Sequence, residues 1–190
     1  IGGVTNISII ENKKIKSGDS SFGNAIINDF LIHNTDQVID EDGKISKKGQ
    51  IIKELFDLIN LDSYFKKKLP KSLDRNYFHK YFDKFNKDIS VENFIHTMLS
   101  IIPHSISKFI SSNKKYKIIL SGGGRKNITL VSLFKNEFSD VSLIDDYQLD
   151  GDFIESQGMA LLAIRYLKKL SSSYKETTGI KKNIYLGEKC

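Results

Sequence analysis

Hydrophobic spacing divides the chain into short β-rich runs and longer helical stripes. Val4, Thr5, Ile7, Ile9 and Ile10 follow a Gly2-Gly3 turn and predict a strand. Glu11, Asn12, Lys13 and Lys14 predict a hairpin tip, and Ile15-Lys16 a short returning strand. Residues 17–24 read as a small-residue loop, after which Ile26, Ile27, Phe30 and Leu31 recur at helical spacing. A second helix is expected over residues 47–60, with Ile51, Ile52, Leu55, Phe56 and Ile59 on one face. Pro70 marks a connection, and residues 75–85 form an aromatic-rich helical segment.

The longest stripe covers residues 91–111, where Val91, Phe94, Ile95, Met98, Ile102, Ile106, Phe109 and Ile110 fall at three- and four-residue steps behind a Ser90 cap. Pro103 lacks the donor that would reach the Leu99 carbonyl, so a kink or a split is expected there. Residues 117–120 predict a buried strand, followed by the Gly122-Gly123-Gly124 turn and a helix over 128–138. A strand over 141–144, a helix over 152–170 and a short strand over 183–186 complete the chain. Hairpin, helices, strand, helix, strand, helix is an α/β order in which helices cover the strand faces.

Composition narrows the partners. With 190 residues, 39% hydrophobic and 27% charged, the chain is expected to form one soluble domain. A net charge of +6 invites a phosphate or nucleic-acid reading. Yet 23 acidic residues are interspersed among 29 basic ones, and the longest basic run is Lys66-Lys67-Lys68, which describes a solvated lysine-rich surface. The alternative is a basic module using Lys66 to Lys68 with Lys114, Lys115 and Lys117. It predicts steeply salt-dependent oligonucleotide binding. The single cysteine, Cys190, excludes an internal disulfide and a cysteine-built metal site. No apolar run approaches the roughly 18 residues of a membrane span, and no leader is apparent, so a cytoplasmic protein with no membrane partner is expected. The chain opens on Ile1 without an initiator Met, which suits equally a processed N-terminus and a piece of a longer protein.

Two glycine elements could carry chemistry: Gly2-Gly3 with Asn6, and Gly122 to Gly124 with Asn127. Backbone N–H groups freed by glycine converge on phosphate oxygens, and a helix N-terminus adds partial positive charge. A glycine turn is more often only a turn, and Asn127 serves equally as a helix cap. Neither element matches the G-x-x-x-x-G-K-[ST] or G-x-G-x-x-G pattern. Asp40-Glu41-Asp42-Gly43 fails as a calcium loop, because the required acids fall on Val38 and Gly49. Asp19 could position a metal-bound water or a sugar hydroxyl, or simply form a turn. Glu155 heads the stripe of Gly158, Met159, Leu162 and Tyr166, either at a cavity mouth or completing a capping box with Asp152. Lys71 and Arg75 flank the Pro70 break as anion ligands or surface charges. His33, His79, His96 and His104 show no metal spacing. No G-x-S-x-G signature marks a serine nucleophile.

In this order the motifs resemble the C-terminal half of the anhydro-N-acetylmuramic acid kinase family, within the actin-like and sugar-kinase ATPase superfamily. Ile1 to Ile7 is similar to N-I-G-G-I-A-N-I. Asp19 to Asn24 is similar to D-T-G-P-G-N, with Asp29 placed like its following Asp. Asp40 to Gly49 is similar to D-x-x-G-x-x-A-x-x-G, with Ser46 at the Ala. Pro70 to Phe78 is similar to P-K-S-T-G-R-E-x-F, Gly122 to Asn127 to G-G-G-x-x-N, Glu155-Ser156 to a terminal E-A, and Thr178-Gly179 to a late T-G pair. Ser21, Phe22, Leu73, Asp74 and Asn76 depart from the pattern in regions that would lie at the sugar, which leaves room for a degenerate, non-catalytic member.

The resemblance implies an actin-like (ribonuclease H-like) α/β domain with a mixed sheet flanked by helices, residues 1–190 being the nucleotide-binding half of a two-domain sugar kinase. Such enzymes use ATP and Mg2+ to open the 1,6-anhydro ring with water while phosphorylating O6, giving N-acetylmuramate 6-phosphate in cell-wall recycling. It further implies that Gly2, Gly3 and Asn6 face the phosphates and that Gly122, Gly123, Gly124 and Asn127 face the adenosine. Asp19, Arg75 and Glu155 would lie toward the sugar or the metal shell, with the metal ligands themselves unknown. The family's first phosphate loop and water-activating acid precede the motif at Ile1, so the catalytic residues are expected outside these 190 and the isolated chain is expected to be inactive. Small-molecule sugar and ATP are the implied partners, nucleic acid is not, and a homodimer is left open.

Overall fold

The computed structural model describes residues 1–86, 88–110 and 114–184. Strands β1 (Val4–Glu11) and β2 (Lys14–Phe22) form an antiparallel hairpin. Its two-residue loop places Asn12 and Lys13 at φ 48° and 63°, the left-handed pair whose twist matches that of the flanking strands. The returning strand is much longer than Ile15-Lys16. Residues 17–22, read from composition as a loop, are strand because the ladder to β1 continues and hydroxyls bridge it. Ser8 and Ser17 meet at 2.8 Å, Thr5 Oγ1 donates to the Phe22 carbonyl at 2.7 Å, and Ser20 Oγ donates to the Thr5 carbonyl at 3.1 Å. A bulge follows Thr5, which pairs with Ser21 while Asn6 pairs with Asp19. The extra residue allows Ser20, Ser21 and Phe22 all to be buried in succession.

Helix α1 (Asn24–Asn34) buries Ala25, Ile26, Ile27, Phe30 and Leu31, the expected face. Helix α2 (Lys53–Asn60) begins later than residue 47, because the Ser46–Lys48 segment is a separate 3-10 turn. Between them Gly49 lies so close to the Glu92 carbonyl that a Cβ would collide with it. Beyond Gly49, the N–H groups of Gln50 and Ile52 donate to Asn93 Oδ1 at 2.8 Å and Thr97 Oγ1 at 2.9 Å. Tertiary anchoring thus overrides helical periodicity here. Leu55 and Ile59 are buried, and Ile51 remains exposed. The aromatic segment winds as 3-10 turns over Tyr77–Lys84. Tyr77 and Tyr81 both donate to the buried Asp62 carboxylate, at 2.9 and 2.8 Å.

Helix α3 (Val91–Ser107) is the central element. Ser90 caps it by accepting from Asn93 N, and Phe94, Ile95, Met98, Leu99 and Ile102 are wholly buried, as expected of a helix enclosed on most sides. Pro103 lies within the helix and does not split it; residue 111, the expected end, lies outside the described residues. Phe30 of α1 stacks on Phe94 with ring centroids 4.2 Å apart.

Strands β3 (Ile118–Leu120) and β4 (Val141–Leu143) are parallel, and helix α4 (Ile128–Glu137) makes the crossover that parallel pairing requires. The sheet component therefore consists of an antiparallel pair and a parallel pair flanked by helices. Helix α5 (Ile154–Leu167) is shorter than expected and buries none of its residues. It is followed by the one-turn helix α6 (Lys175–Thr178). Of the predicted tail strand, Ile184 makes an isolated antiparallel bridge to Ser173; residues 185 and 186 lie outside the described residues. Among the described residues no helix is long and apolar enough to cross a membrane.

Candidate functional site

The two glycine elements, 120 residues apart in sequence, meet at Ile1. The Ile1 ammonium donates to the Ser121 carbonyl at 2.5 Å, and the Gly124 N–H donates to the Ile1 carbonyl at 3.0 Å. On the other side the Gly2 carbonyl accepts from Asn24 N at 2.8 Å, and the Gly3 carbonyl from Gly23 N at 3.0 Å. The start of the hairpin is therefore stitched both to the N-terminus of α1 and to the glycine turn before α4.

The glycines of this junction do different jobs. Gly122 has φ +79°, and a Cβ there would lie 2.6 Å from the Ile1 carbonyl oxygen. At Gly124 a Cβ would lie 2.6 Å from Ile1 Cγ2. Packing against Ile1 demands both. Gly123 is different: the nearest atom to an added Cβ is Asn24 Nδ2 at 3.7 Å. Gly2 is equally open, with Val4 O at 4.0 Å. Nothing in the fold requires glycine at 2 or 123, and both leave bare backbone.

Gly123 opens onto a cleft of about 330 Å³. Ile27, Ile39 and Leu99 give it an apolar wall, while Asn24, Asn28, Lys126 and residues 40–42 supply polar groups. Its volume is at the lower end of the range of about 300–1,000 Å³ usual for small-molecule sites. Neither α1 nor α4 has an acidic residue in its first turn, and both ends are engaged: α1 by the Gly2 and Gly3 carbonyls, and α4 by the Asn127 cap, which the Asp40 carboxylate holds. On the same wall Lys44 lies 3.2 Å from Glu41 and 3.3 Å from Asp42.

Asn127 is both cap and bolt. Its Oδ1 accepts from Leu130 N at 2.9 Å, and its Nδ2 donates to Asp40 Oδ2 at 3.1 Å. Asp40 is buried and also accepts from Ile45 N at 2.7 Å and Ser46 Oγ at 2.5 Å. Gly43, at φ +75°, lies against Asn127 and Thr129, and Thr129 Oγ1 donates to its carbonyl at 2.8 Å. The 40–43 segment thus shapes the cleft wall. Among the described residues no group of three or more His, Cys, Asp or Glu could hold a metal ion. Sequence reasoning overlooked Asn24 and Asn28, polar residues four apart on the first turns of α1. It also overlooked Asp40 and Lys126 as cleft residues.

The remaining predicted residues gather elsewhere. Asn6 Nδ2 donates to Asp19 Oδ1. Asp19 Oδ2 accepts from Leu73 N at 2.7 Å, and its carbonyl accepts from the Tyr64 hydroxyl at 2.7 Å. Arg75 donates to Asp29 Oδ1 at 2.6 Å, and His79 Nε2 lies 3.0 Å from Asp29 Oδ2. These contacts bolt the loop after Pro70 to β2 and α1, and Asp19 and Arg75 do not line the Gly123 cleft.

Glu155 is exposed in the first turn of α5. The Asp152–Glu155 capping box does not form, because Asp152 is taken by Arg125 at 2.9 Å and Lys126 at 2.8 Å. Arg125, buried within the glycine turn, also binds Asp145 at 2.7 Å. Hydrogen bonds from these cations hold both carboxyls below the ordinary carboxylate range.

A cleft bordered by bare glycine backbone and two helix N-termini, on an α/β scaffold, is compatible with the actin-like and sugar-kinase ATPase class. The chain belongs within it to the anhydro-N-acetylmuramic acid kinase family, whose model matches residues 1–190. It is 37% identical over 200 residues to the anhydro-N-acetylmuramic acid kinase of Pelagibacter ubique, covering 96% of this chain and 51% of that protein. Proteins of the same name from Zymomonas mobilis and Gluconobacter oxydans are 30% and 28% identical, covering 95% and 98% of this chain and 50% and 54% of theirs. The chain spans about half the length of the curated relatives it matches.

Proposed function

We propose that this chain is the nucleotide-binding half of an ATP-dependent kinase that hydrolytically opens 1,6-anhydro-N-acetylmuramic acid and phosphorylates its O6. The observation that carries the reading is the bare backbone at Gly123, facing a cleft that no structural contact obliges it to leave open. The nucleoside occupies that cleft. Its apolar wall of Ile27, Ile39 and Leu99 suits the face of a base, and the carboxylates at residues 40–42 suit hydroxyl and amino donors rather than phosphate. The phosphates lie toward Gly2 and Gly3, away from those carboxylates, where the backbone of Gly2 is open.

Magnesium accompanies the nucleotide and supplies charge neutralisation to phosphoryl transfer, and the described residues of this chain provide no ligand cluster of their own for it. Asp19 and Arg75, fixed against Leu73 and Asp29, order the sugar side, and Glu155 lies at its margin. In this reading the residue that activates the attacking water comes from the other half of the protein.

The test is Gly123→Val in the full-length protein. The variant should fold, because a Cβ at 123 meets only Asn24 Nδ2 at 3.7 Å, and ATP affinity should fall at least about tenfold by calorimetry. Unchanged affinity overturns the assignment.

A further inference from the structure

The two small sheets border a second cavity, of about 560 Å³, well away from Gly123. Residues 5–10 of β1 and residues 115–121, which include β3, line it without a break. Side chains along a strand alternate between its faces, so an uninterrupted run of lining residues means that strand edges border the space. Those edges have no ladder partner among the described residues, since β1 pairs with β2 only and β3 with β4 only. Ile106 of α3, Ile110 beyond it and Phe134 of α4 give the cavity an apolar wall.

The gap is closed at both ends. At one, the nitrogen and the carbonyl of Ile1 both bond to the stretch that follows β3, at Ser121 and Gly124. At the other, Glu11 accepts from Lys114 Nζ at 2.8 Å and from the Tyr116 hydroxyl at 2.5 Å. Strands β1 and β3 therefore run in opposite directions, joined beyond their ends and parted between them. Two facing edges without a ladder present rows of backbone donors and acceptors, which is a template for a further strand.

We propose that this cavity is the seat of a strand formed by the residues that immediately precede Ile1 in the full-length protein. The relatives are about twice as long as this chain, so there is chain to supply it. Direction selects the segment. The Gly2 N–H donates to the Val4 carbonyl at 3.1 Å, so the backbone reverses across Gly3. A segment arriving at Ile1 runs back along β1, antiparallel to it, and in the same direction as β3. Ile1, already bonded beside the end of β3, is its last residue, and its nitrogen keeps the Ser121 acceptor as a peptide N–H. About six residues, at roughly 3.3 Å each, match the edge offered by residues 5–10. Filling the gap joins the two pairs into one mixed sheet of five strands. The new strand has apolar neighbours on both faces. Ile7 and Ile118 pack toward the core on one, and Ile10 and Ile119 lie 70% and 46% exposed on the other. It is therefore apolar throughout rather than alternating. The inference rests on this chain being part of a longer protein and is independent of what binds at Gly123.

The experiment is hydrogen exchange of the full-length protein without nucleotide, resolved amide by amide by mass spectrometry with electron-transfer fragmentation. Asn12 and Lys13, at the exposed hairpin tip, are the reference for open backbone. Successive amides of residues 5–10 all exchange at least about a hundredfold more slowly than the reference, and so do those of the roughly six residues before Ile1. If every second amide of residues 5–10 exchanges like the reference, the edge is open and the proposal fails. If that edge is protected while the residues before Ile1 exchange freely, a second copy or another segment fills the cavity, and the proposal fails as well. Neither failure touches the nucleotide assignment, which the ATP affinity of Gly123→Val tests separately.

Discussion

Ser21 shows how a single hydroxyl can work against the fold that surrounds it. Its Oγ is the one buried side-chain polar atom among the described residues with no hydrogen-bond partner, and the residue has no exposed surface. Leaving a hydroxyl unpaired in such a place costs about 1–3 kcal/mol. Replacement by Ala removes that penalty at the expense of a very small void, so Ser21→Ala should raise stability by about 1 kcal/mol in urea melts. A loss of stability would mean that the hydroxyl has a partner. Neighbouring Ser20, equally buried, donates to the Thr5 carbonyl, so Ser20→Ala should destabilise instead. No hydropathy pattern separates these adjacent serines, since the bulge register turns both inward and only Ser20 finds an acceptor. At the same scale Gly122, Gly123 and Gly124 look identical in sequence. Only the position of Ile1 distinguishes the two that packing requires from the one it leaves free.

Elements were legible in proportion to how far their own side chains decide them. Helices α1, α3 and α4 follow their apolar spacing, and Ser90 and Asn127 cap as their residue types suggest. Strand β2 was obscured because Ser, Gly and Asp carry little strand preference, and its pairing comes from β1 across the hairpin. The start of α2 was obscured because Gly49 must lie against α3, a contact far away in sequence. The cleft wall has the same character: Asp40, in a turn preceding α2, locks onto Asn127 at the head of α4. Asp40→Asn exchanges an acceptor pair for a mixed amide and loses its charge-assisted bonds to Ile45 N, Ser46 Oγ or Asn127. It should destabilise by about 1.5–3 kcal/mol. Asn127 should then keep its cap to Leu130 while losing the bolt, so hydrogen exchange should quicken in residues 40–46 more than in α4. Exchange in residues 40–46 unchanged by Asp40→Asn would show that the bolt carries no weight.

At the scale of the molecule, the described residues hold a nucleoside-sized cleft and a loop cluster whose buried and half-buried acids are engaged, while Glu41 and Asp42 at the cleft share Lys44. Asp40 is engaged by Asn127, Ile45 and Ser46. Both Asp19 oxygens are engaged by Asn6 and Leu73, and Asp29 is divided between Arg75 and His79. A water-activating base needs a carboxylate with an oxygen to spare near the reacting atoms. The helix that carries Glu155 also exposes Met159, Leu161, Ile164 and Leu167, an apolar run that none of the described residues covers. Since the relatives are about twice as long, catalysis is expected to depend on residues outside these 190. The isolated chain should therefore show no sugar-dependent ATP turnover in a coupled assay at any Mg2+ concentration. The full-length protein should turn over, and Gly123→Val should raise its KM for ATP more than it lowers kcat, because the nucleoside contact is lost equally from ground and transition states. Robust turnover by the 190 residues alone would place the base within this chain and force one of the engaged carboxylates to be released on binding.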